Sequence, residues 1–385
     1  MTYEILKGVS GDISVWDKLK NPRKPIVMYG MGDGADKILD YCELNKIKIY
    51  DIFASDEFVR GHSFRGYKVK KFDEIQEKLD DFIILVAFAT RDRKVLDKIY
   101  EFDKKYELYA PDMPVFGDKF NGGYYDYLLE NVKEFSQVYE LLADDKSKQV
   151  YLDVINFKIS GKIKYLQNAD TPKSEVISLL HCLETENLPL NYIDLGAYDG
   201  DSILELNKYL RNITKIIAVE PDAKNFIKLQ KNLEKNNLTE RCSLYNIGIW
   251  SEKQDIYFSE KAGRHSSVVI ADSAQNSRTK IKKIAADSVD NIVESNKSDG
   301  NHRYFIKYDV EGSEYEAIIG SSATIKKYNP SLAVSLYHRN EDLIKLPGLI
   351  NMLNPSYKFY LRKHEYIPCW DLNLYAIYLP YLKQD

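Results

Sequence analysis

The sequence predicts an α/β protein with two open α/β units, of which the second and larger one contains a seven-stranded sheet. Three observations support this prediction. Short apolar strand-like runs alternate with helical stretches in both units, which is typical of parallel sheets. Each unit begins with a glycine-rich turn between a strand and a helix. The chain has 385 residues, 44% hydrophobic and 29% charged, as expected for a folded protein of two or three domains.

The composition argues against several classes of protein. The formal net charge of -4 disfavours a large nucleic-acid-binding surface. The longest apolar run, residues 82–89, is too short to cross a bilayer, and residues 1–16 lack the basic start and apolar core of a secretory signal. The four cysteines lie far apart, so we expect no disulfide framework and a reducing, cytoplasmic setting.

The first unit is predicted over residues 1–118, as a small Rossmann-like domain. Strand-like runs at 26–30, 47–54 and 82–89 are separated by helical stretches, and the last run is apolar enough to be buried on both faces. Proline and glycine punctuate the chain between residues 111 and 117, where we expect the unit to end.

Residues 119–175 are predicted to form a helical connector. Val150, Val154 and Phe157 recur at spacings of four and three, the pattern of a helix with one apolar face. We expect this segment to join the two units without a core of its own.

The second unit is predicted over residues 176–385. Helical stretches separate its first six strands, and residues 255–284 have the pattern of an inserted β-hairpin with a loop. A short non-helical stretch joins the last two strands, which predicts that the final strand is antiparallel. The seven predicted strands span residues 192–195, 216–220, 243–247, 304–310, 332–337, 358–362 and 372–379.

The glycine turn of the second unit has the features of a nucleoside site. Gly196 and Gly200 flank it, so backbone N–H groups can approach a ligand closely. Glu220 ends the next strand, where a carboxylate can accept hydrogen bonds from both hydroxyls of a ribose. Asp194 and Asp199 would repel a phosphate but attract a cation, so S-adenosylmethionine fits better than NAD. The alternative is a tight turn with a strand-end acid on a surface edge.

The glycine turn of the first unit is a partial match to a dinucleotide fingerprint. It carries Gly30 and Gly32, with Ala35 at the third position and Asp56 further along the chain. A single fingerprint of this kind is weak support for a bound dinucleotide, and residues 54–57 have the composition of a loop. We therefore favour a structural or substrate-docking role. NAD binding by a nucleotide-sugar oxidoreductase or epimerase is the alternative.

Ionisable residues follow two further strands of the second unit. Asp309 and Glu311 lie at the carboxyl end of the strand predicted at 304–310, and His338 follows the next strand. Ligands of open α/β sheets bind at the carboxyl ends of the strands, so these residues, Asp194 and Glu220 should face one crevice. Unpaired buried carboxylates are costly, and such a cluster therefore indicates a site. A helix N-cap and a loop histidine are the alternatives.

These motifs together resemble those of the FkbM-type methyltransferases. The resemblance covers about residues 139 to 385 and implies a class I methyltransferase fold, S-adenosylmethionine as methyl donor, and O-methylation of sugars or other hydroxyls. Tyr198 departs from the pattern, which more often has a small polar residue there. The first unit loosely resembles modules attached to sugar-modifying enzymes. The matching motifs are Asp194-Leu195-Gly196-Ala197 with Gly200, Val219-Glu220-Pro221, Lys307-Tyr308-Asp309-Val310-Glu311-Gly312-Ser313-Glu314 and Tyr337-His338.

The resemblance also implies roles for individual residues. Glu220 would hold the ribose, and Asn246 would lie near the adenine. Asp309 would border both the donor and the acceptor, with Glu311 and His338 on the acceptor side. The turn residues that would hold the methionine end of the donor are Asp194, Gly196, Ala197, Tyr198, Asp199 and Gly200.

Methyl transfer to a hydroxyl needs a group that takes up the hydroxyl proton. We favour His338 as the base, with Asp309 or Glu311 orienting it. The same three side chains could instead bind a hard divalent metal ion, which would lower the pKa of the hydroxyl. The sequence does not separate these two possibilities.

We expect the acceptor to be a nucleotide-linked or glycan sugar, for polysaccharide biosynthesis such as that of capsules. Candidate phosphate or sugar contacts are Arg264, His265, Ser266 and Arg339, although a solvated loop explains them equally well. A non-enzymatic module that binds nucleotide sugars is a further alternative. The first unit is a candidate surface for a homodimer.

Overall fold

The computed structural model describes residues 3–116, 123–260, 267–269, 280–297, 300 and 302–378. Within these residues, two main sheets of four and seven strands are accompanied by a four-stranded sheet and a two-stranded hairpin. The described part of the chain contains no helix that combines the length and the apolar character needed to span a membrane.

The N-terminal sheet is parallel, with the strand order β2-β1-β5-β6. All three predicted strands are present, and β1 and β5 are buried along their whole length. The short strand β6 and the helix before it were not predicted. The elements are α1 (Ile5–Gly8), α2 (Val15–Lys20), β1 (Ile26–Tyr29), α3 (Asp33–Leu44), β2 (Ile49–Phe53), β3 (Ser63–Phe64), β4 (Tyr67–Lys68), α4 (Phe72–Gln76), β5 (Ile83–Val86), α5 (Arg93–Lys105) and β6 (Glu107–Tyr109).

A block of helices follows and contains the most buried helix of the chain, α8. Its N-cap Asp144 accepts a hydrogen bond from the backbone of Ser147, and Gly161 in the left-handed conformation ends it, as is typical of helix termini. Eleven of its sixteen residues are buried, so it packs on nearly all sides. The helices are α6 (Tyr124–Glu130), α7 (Val132–Leu141), α8 (Asp145–Ser160), α9 (Ile163–Ala169) and α10 (Lys173–Leu180).

The largest hydrophobic core joins all three parts of the chain. It contains Tyr29 of the N-terminal sheet, Tyr151 and Val154 of α8, and Ile306 of the C-terminal sheet. The helical block therefore shares its core with the units on either side.

The C-terminal sheet has the strand order β16-β17-β15-β14-β7-β8-β9. Strands β15, β14, β7, β8 and β9 are parallel, while β17 pairs antiparallel with both β15 and β16. The elements are β7 (Leu190–Leu195), α11 (Asp201–Tyr209), β8 (Ile213–Val219), α12 (Ala223–Lys235), β9 (Cys242–Tyr245), β10 (Gly248–Ile249), β11 (Gln254–Glu260), β12 (Ser267–Val269), β13 (Lys280–Asp287), α13 (Val289–Ser295), β14 (Arg303–Tyr308), α14 (Glu314–Ile319), α15 (Ser322–Tyr328), β15 (Ser331–Ser335), α16 (Asp342–Leu353), β16 (Lys358–Lys363) and β17 (Leu372–Ile377).

Two details of this unit differ from the sequence predictions. The strand predicted at 304–310 ends at Tyr308, so Asp309 and Glu311 lie in the turn that follows it. Strands β11 and β12 form the expected inserted hairpin, and it belongs to a four-stranded sheet in which β13 pairs antiparallel with the other edge of β11 and parallel with β10.

Candidate functional site

A cavity of about 330 Å³ opens where the parallel strands of the C-terminal sheet end. Gly196, Glu220, Asp309 and Tyr337 follow β7, β8, β14 and β15, and all four line it. This is the edge at which open α/β sheets bind their ligands. Other residues of the wall that bear on function are Arg91, Tyr198, Ile247, Lys307, Glu311, His338, Tyr366, Trp370 and Asp371.

Gly196 lies where the turn after β7 crosses the end of β14. Its φ is +81°, and a Cβ added there would lie 1.9 Å from the backbone oxygen of Asp309. Any side chain would therefore separate the two turns. Gly196 therefore lets the turn after β7 pack against the turn after β14, which carries Asp309 and Glu311. Both turns border the same cavity.

Glu220 accepts hydrogen bonds from backbone N–H groups of two turns, the turn after β7 and its own turn after β8. The N–H of Tyr198 donates to its Oε2 at 2.9 Å, and the N–H of Asp222 donates to its Oε1 at 2.9 Å. Each carboxylate oxygen keeps a further lone pair for a ligand hydroxyl. Burial raises the pKa of Glu220 to about 7, although the hydrogen bonds from Asp222 and Tyr198 lower it.

Lys307 connects two of the carboxylates. Its Nζ lies 3.4 Å from Asp194 Oδ1 and 3.2 Å from Asp309 Oδ2. Burial lowers the pKa of Lys307, but the charges of Asp194 and Asp309 outweigh it and leave the pKa above its ordinary value. Lys307 is therefore a cation that neutralises the floor of the cavity.

Asp309 is the most connected carboxylate of the site. Its Oδ1 accepts hydrogen bonds from Ser335 Oγ at 3.0 Å and from the Tyr337 hydroxyl at 3.1 Å. Burial raises its pKa, but Lys307 and His338 bring it below the ordinary value. Asp309 is therefore ionised at neutral pH.

His338 is enclosed by three carboxylates. Its Nδ1 lies 2.9 Å from Glu314 Oε1, and both side chains are only 1% exposed. Its Nε2 lies 3.7 Å from Asp309 Oδ1 and 3.6 Å from Glu311 Oε2. Burial lowers the pKa of His338, but Glu314, Glu311 and Asp309 raise it to about 10. The carboxylate closest to the imidazole is thus Glu314, whereas the sequence suggested Asp309 or Glu311 as the orienting group.

Glu311 faces the cavity from a strained turn. Its φ is +51° and Gly312 follows with a φ of +90°, so the chain reverses here. Burial raises the pKa of Glu311 to about 8, and His338 only partly offsets this. Glu311 therefore changes its charge just above neutral pH.

The structure brings together only part of the predicted site. Glu220, Asp309, Glu311 and His338 line the cavity together with Gly196 and Tyr198. Asp194 is fully buried behind Lys307. Ala197, Asp199 and Gly200 belong to the turn but not to the cavity wall.

Three other predictions have different outcomes. The side-chain amide of Asn246 donates to the backbone oxygens of Glu220 and Pro221, while the neighbouring Ile247 lines the cavity. The Nε of Arg339 donates to Gly312 O at 2.9 Å, outside the wall of the cavity. Arg264, His265 and Ser266 lie outside the described residues.

Sequence reasoning missed Lys307 and Glu314 as members of the site. The signal that could have identified Lys307 was a charged residue among the apolar residues of the strand 303–308. Glu314 was part of the matching motif, but no role was predicted for it. In the described part of the chain, no group of three or more histidine, cysteine, aspartate or glutamate side chains has the arrangement of a metal site.

Packing explains two glycines of the first turn, Gly30 and Gly34, whereas nothing lies within 4 Å of a Cβ added to Gly32. A Cβ on Gly30 would lie 2.3 Å from Cδ1 of Phe88, and one on Gly34 would lie 2.7 Å from the backbone oxygen of Ala87. The glycines therefore allow α3 to pack closely against the loop after β5. Asp56 lies in a short 3₁₀ helix, Asp56–Phe58.

Comparison with known proteins assigns the C-terminal unit. Residues 194–367 match the family model described as the Methyltransferase FkbM domain. Residues 194–367 of the chain are therefore a methyltransferase domain of the FkbM type.

Solved structures are also similar to all or part of this chain. The methyltransferase FkbM from Methylobacillus flagellatus KT is similar over 97% of this chain and 95% of its own, with a TM-score of 0.67 and 19% identity. Precorrin-6y C5,15-methyltransferase from Geobacter metallireducens GS-15 has 15% identity over 53% of this chain and 88% of its own, with a TM-score of 0.31. An rRNA methylase from Streptococcus thermophilus has 13% identity over 55% and 98%, with a TM-score of 0.33. No curated protein matches the chain.

Proposed function

We propose that this protein transfers a methyl group from S-adenosylmethionine to a hydroxyl of a sugar, with a nucleotide-linked or glycan sugar as acceptor. One observation carries the proposal. Within the FkbM-type domain, a single cavity is lined by a carboxylate suited to a ribose, Glu220, and by a buried imidazole–carboxylate cluster around His338.

The residues of the donor end fit S-adenosylmethionine. Glu220 would accept hydrogen bonds from the ribose hydroxyls, because its two oxygens are already oriented by the N–H groups of Tyr198 and Asp222. When bound, S-adenosylmethionine supplies an electrophilic methyl group on a positively charged sulfur. Six carboxyl groups line the cavity wall, together with two lysines and one arginine. These carboxylates are Asp201, Glu205, Glu220, Asp309, Glu311 and Asp371.

His338 is our candidate for the group that takes up the hydroxyl proton. Glu314 holds its Nδ1, so that Nε2 is directed toward Asp309 and Glu311. A hydroxyl bound between these groups would donate its proton to Nε2 as the carbon–oxygen bond forms. Because the pKa of His338 is about 10, the unprotonated imidazole becomes more abundant as the pH rises.

Calorimetry on the purified chain tests the donor site. We expect saturable binding of S-adenosylmethionine and of S-adenosylhomocysteine, and a large loss of affinity for both in Glu220→Ala. Glu234→Gln is the matched control, because Glu234 is an exposed carboxylate on the neighbouring helix α12. If neither compound binds, the proposed function is wrong.

The pH dependence of turnover tests the proton acceptor. If His338 is the base, kcat rises with pH toward about 10, and His338→Asn removes this dependence. A plateau above pH 8 would assign the base to Glu311, whose pKa is about 8. Full activity in both His338→Ala and Asp309→Asn would exclude these two residues from the reaction. Loss of activity with EDTA would indicate a metal ion instead.

A panel of nucleotide sugars and a labelled methyl donor tests the acceptor. We expect the label to appear on a sugar. A methyl group that arrives only on protein or lipid would reject the sugar acceptor while leaving the donor site intact.

A further inference from the structure

We propose that the N-terminal unit forms one wall of the acceptor site, and that Arg91 binds an anionic group next to the acceptor sugar. This inference rests on the proposed function and specifies its acceptor. Two residues of the N-terminal unit, Arg91 and Val115, line the same cavity as Glu220 and His338. The N-terminal unit is therefore placed to select the acceptor.

The backbone on both sides of Arg91 is fixed. Thr90 pairs with Ile367 of the C-terminal unit through two backbone hydrogen bonds, Thr90 N–H to Ile367 O at 2.7 Å and Ile367 N–H to Thr90 O at 3.0 Å. Asp92 is the N-cap of α5 and accepts hydrogen bonds from the N–H groups of Lys94 and Val95. Arg91 therefore lies between two residues whose positions are fixed by hydrogen bonds, where the N-terminal unit contacts the C-terminal unit.

Arg91 differs from the other cations of the cavity in its partners. Lys173 lies 2.6 Å from Glu205, and Lys307 lies between two aspartates. Arg91 makes no hydrogen bond or ion pair with any residue that the structure describes. A guanidinium whose N–H donors are unused and that lies at a cavity is suited to bidentate hydrogen bonding with a phosphate or a carboxylate.

Three aromatic rings line the same cavity as Arg91. Tyr366 and Trp370 belong to the segment that contains Ile367, the pairing partner of Thr90, and their ring centroids are 5.5 Å apart. Trp370 is also 6.4 Å from the ring of Tyr337. All three are half-buried and line the cavity. Aromatic faces of this kind pack against the apolar C–H face of a sugar ring.

Together, the rings and Arg91 specify an anionic saccharide. The rings provide an apolar surface, Asp371 in the same wall provides an acceptor for hydroxyl groups, and Arg91 provides a positive charge. The anion could be a phosphate of a nucleotide-linked sugar or the carboxylate of a uronic acid in a glycan. Both place a negative charge next to a sugar ring, and the experiment below distinguishes them.

The test is binding to the full chain saturated with S-adenosylhomocysteine, measured by calorimetry. The probes are UDP-glucose, methyl β-glucuronide and the neutral methyl β-glucoside. We expect at least one anionic probe to bind more tightly than the neutral one. Arg91→Gln should weaken that binding about ten- to a hundredfold and leave the affinity for S-adenosylhomocysteine unchanged. Lys94→Gln, which removes an exposed cation from the first turn of the neighbouring helix α5, should change neither.

Each outcome of this test has a defined meaning. Binding of UDP-glucose alone assigns the anion as phosphate, and binding of the glucuronide alone assigns it as carboxylate. The proposal is overturned if Arg91→Gln leaves the affinity for the anionic probes within about twofold, or if no anionic probe binds while S-adenosylhomocysteine does. Failure of S-adenosylhomocysteine itself to bind would contradict the proposed function instead.

Discussion

At the scale of single residues, Glu220 couples ligand binding to its own protonation. Burial raises its pKa to about 7, and protonation replaces one of its acceptor positions with an O–H donor. We expect the affinity for S-adenosylhomocysteine to fall as the pH decreases from about 8.5 to about 5.5, because the proton removes one acceptor position. Calorimetric titrations across this range measure the effect. An affinity that does not change with pH in the wild-type protein would contradict the prediction.

Glu314 offers a second prediction at this scale, which concerns the imidazole that it contacts. The carboxylates of Glu314, Glu311 and Asp309 raise the pKa of His338 to about 10 against the effect of burial. Glu314→Gln removes the closest negative charge, so the pKa of His338 should fall by more than about one unit. An NMR titration of the histidine ring carbons measures this, with His338→Asn to assign the signal.

The matched control for Glu314 lies on the same helix. Glu316 is half-buried, and the ion pairs of His338 involve Glu314, Glu311 and Asp309 instead. Glu316→Gln should therefore leave the titration of His338 unchanged. Equal shifts in both variants would show that Glu314 acts through the general charge of the helix and not through its contact with the imidazole.

The sequence predicted these carboxylates better than it predicted their partners. Strand ends are visible in a sequence, so Glu220, Asp309 and His338 could be expected at one edge of the sheet. The pairing of Lys307 with Asp194 depends on the register in which β14 and β7 lie side by side. Glu314 reaches His338 because the chain reverses at Glu311 and Gly312, both with positive φ. Neither the register nor this reversal follows from residue spacing.

At the scale of secondary-structure elements, Gly196 determines how closely two turns approach. Gly66 provides a matched comparison, since its φ is +86° against +81° for Gly196, and nothing lies within 4 Å of an added Cβ. We expect Gly66→Ala to cost only the left-handed strain, about 1–2 kcal/mol. Gly196→Ala should cost more than about 3 kcal/mol, because the new Cβ would lie 1.9 Å from Asp309 O. Chemical denaturation measures both free energies of unfolding, and equal costs would contradict this account.

Buried elements were the ones that the sequence predicted well. The strands of both sheets were found within a few residues, because continuous apolar runs of this length are typical of buried strands. The strand β6 has only three residues, too few to establish a pattern. The helical stretch predicted between the strands at 304–310 and 332–337 is split into α14 and α15 by Gly320 and Ser321. A single glycine does not change the apolar pattern, so the sequence did not show this break.

At the scale of the whole molecule, the helical block is more than a link between units. The sequence predicted α8 as a helix with one apolar face, but it is buried on nearly all sides. A helix that is buried on nearly all sides has only a weak apolar periodicity in its sequence. Some of its buried positions are polar, and each of these is stabilised by a specific partner. Lys158, for example, contacts Asp112 at 2.5 Å and Asn340 at 3.1 Å. These partners come from the N-terminal and the C-terminal parts of the chain, and no local pattern predicts them.

The shared core leads to a prediction about unfolding. Multidomain chains often unfold in separate steps, but Tyr29, Val154 and Ile306 belong to one continuous core. We therefore expect a single calorimetric transition for the full chain. Val154→Ala, at a fully buried position in the middle of α8, should cost about 1–3 kcal/mol and move the entire transition to lower temperature. Leu44→Ala, at a side chain that is 73% exposed, should change the stability by less than about 0.5 kcal/mol. Two resolved transitions, with only one of them moved by Val154→Ala, would show that the units fold independently and that α8 belongs to one of them.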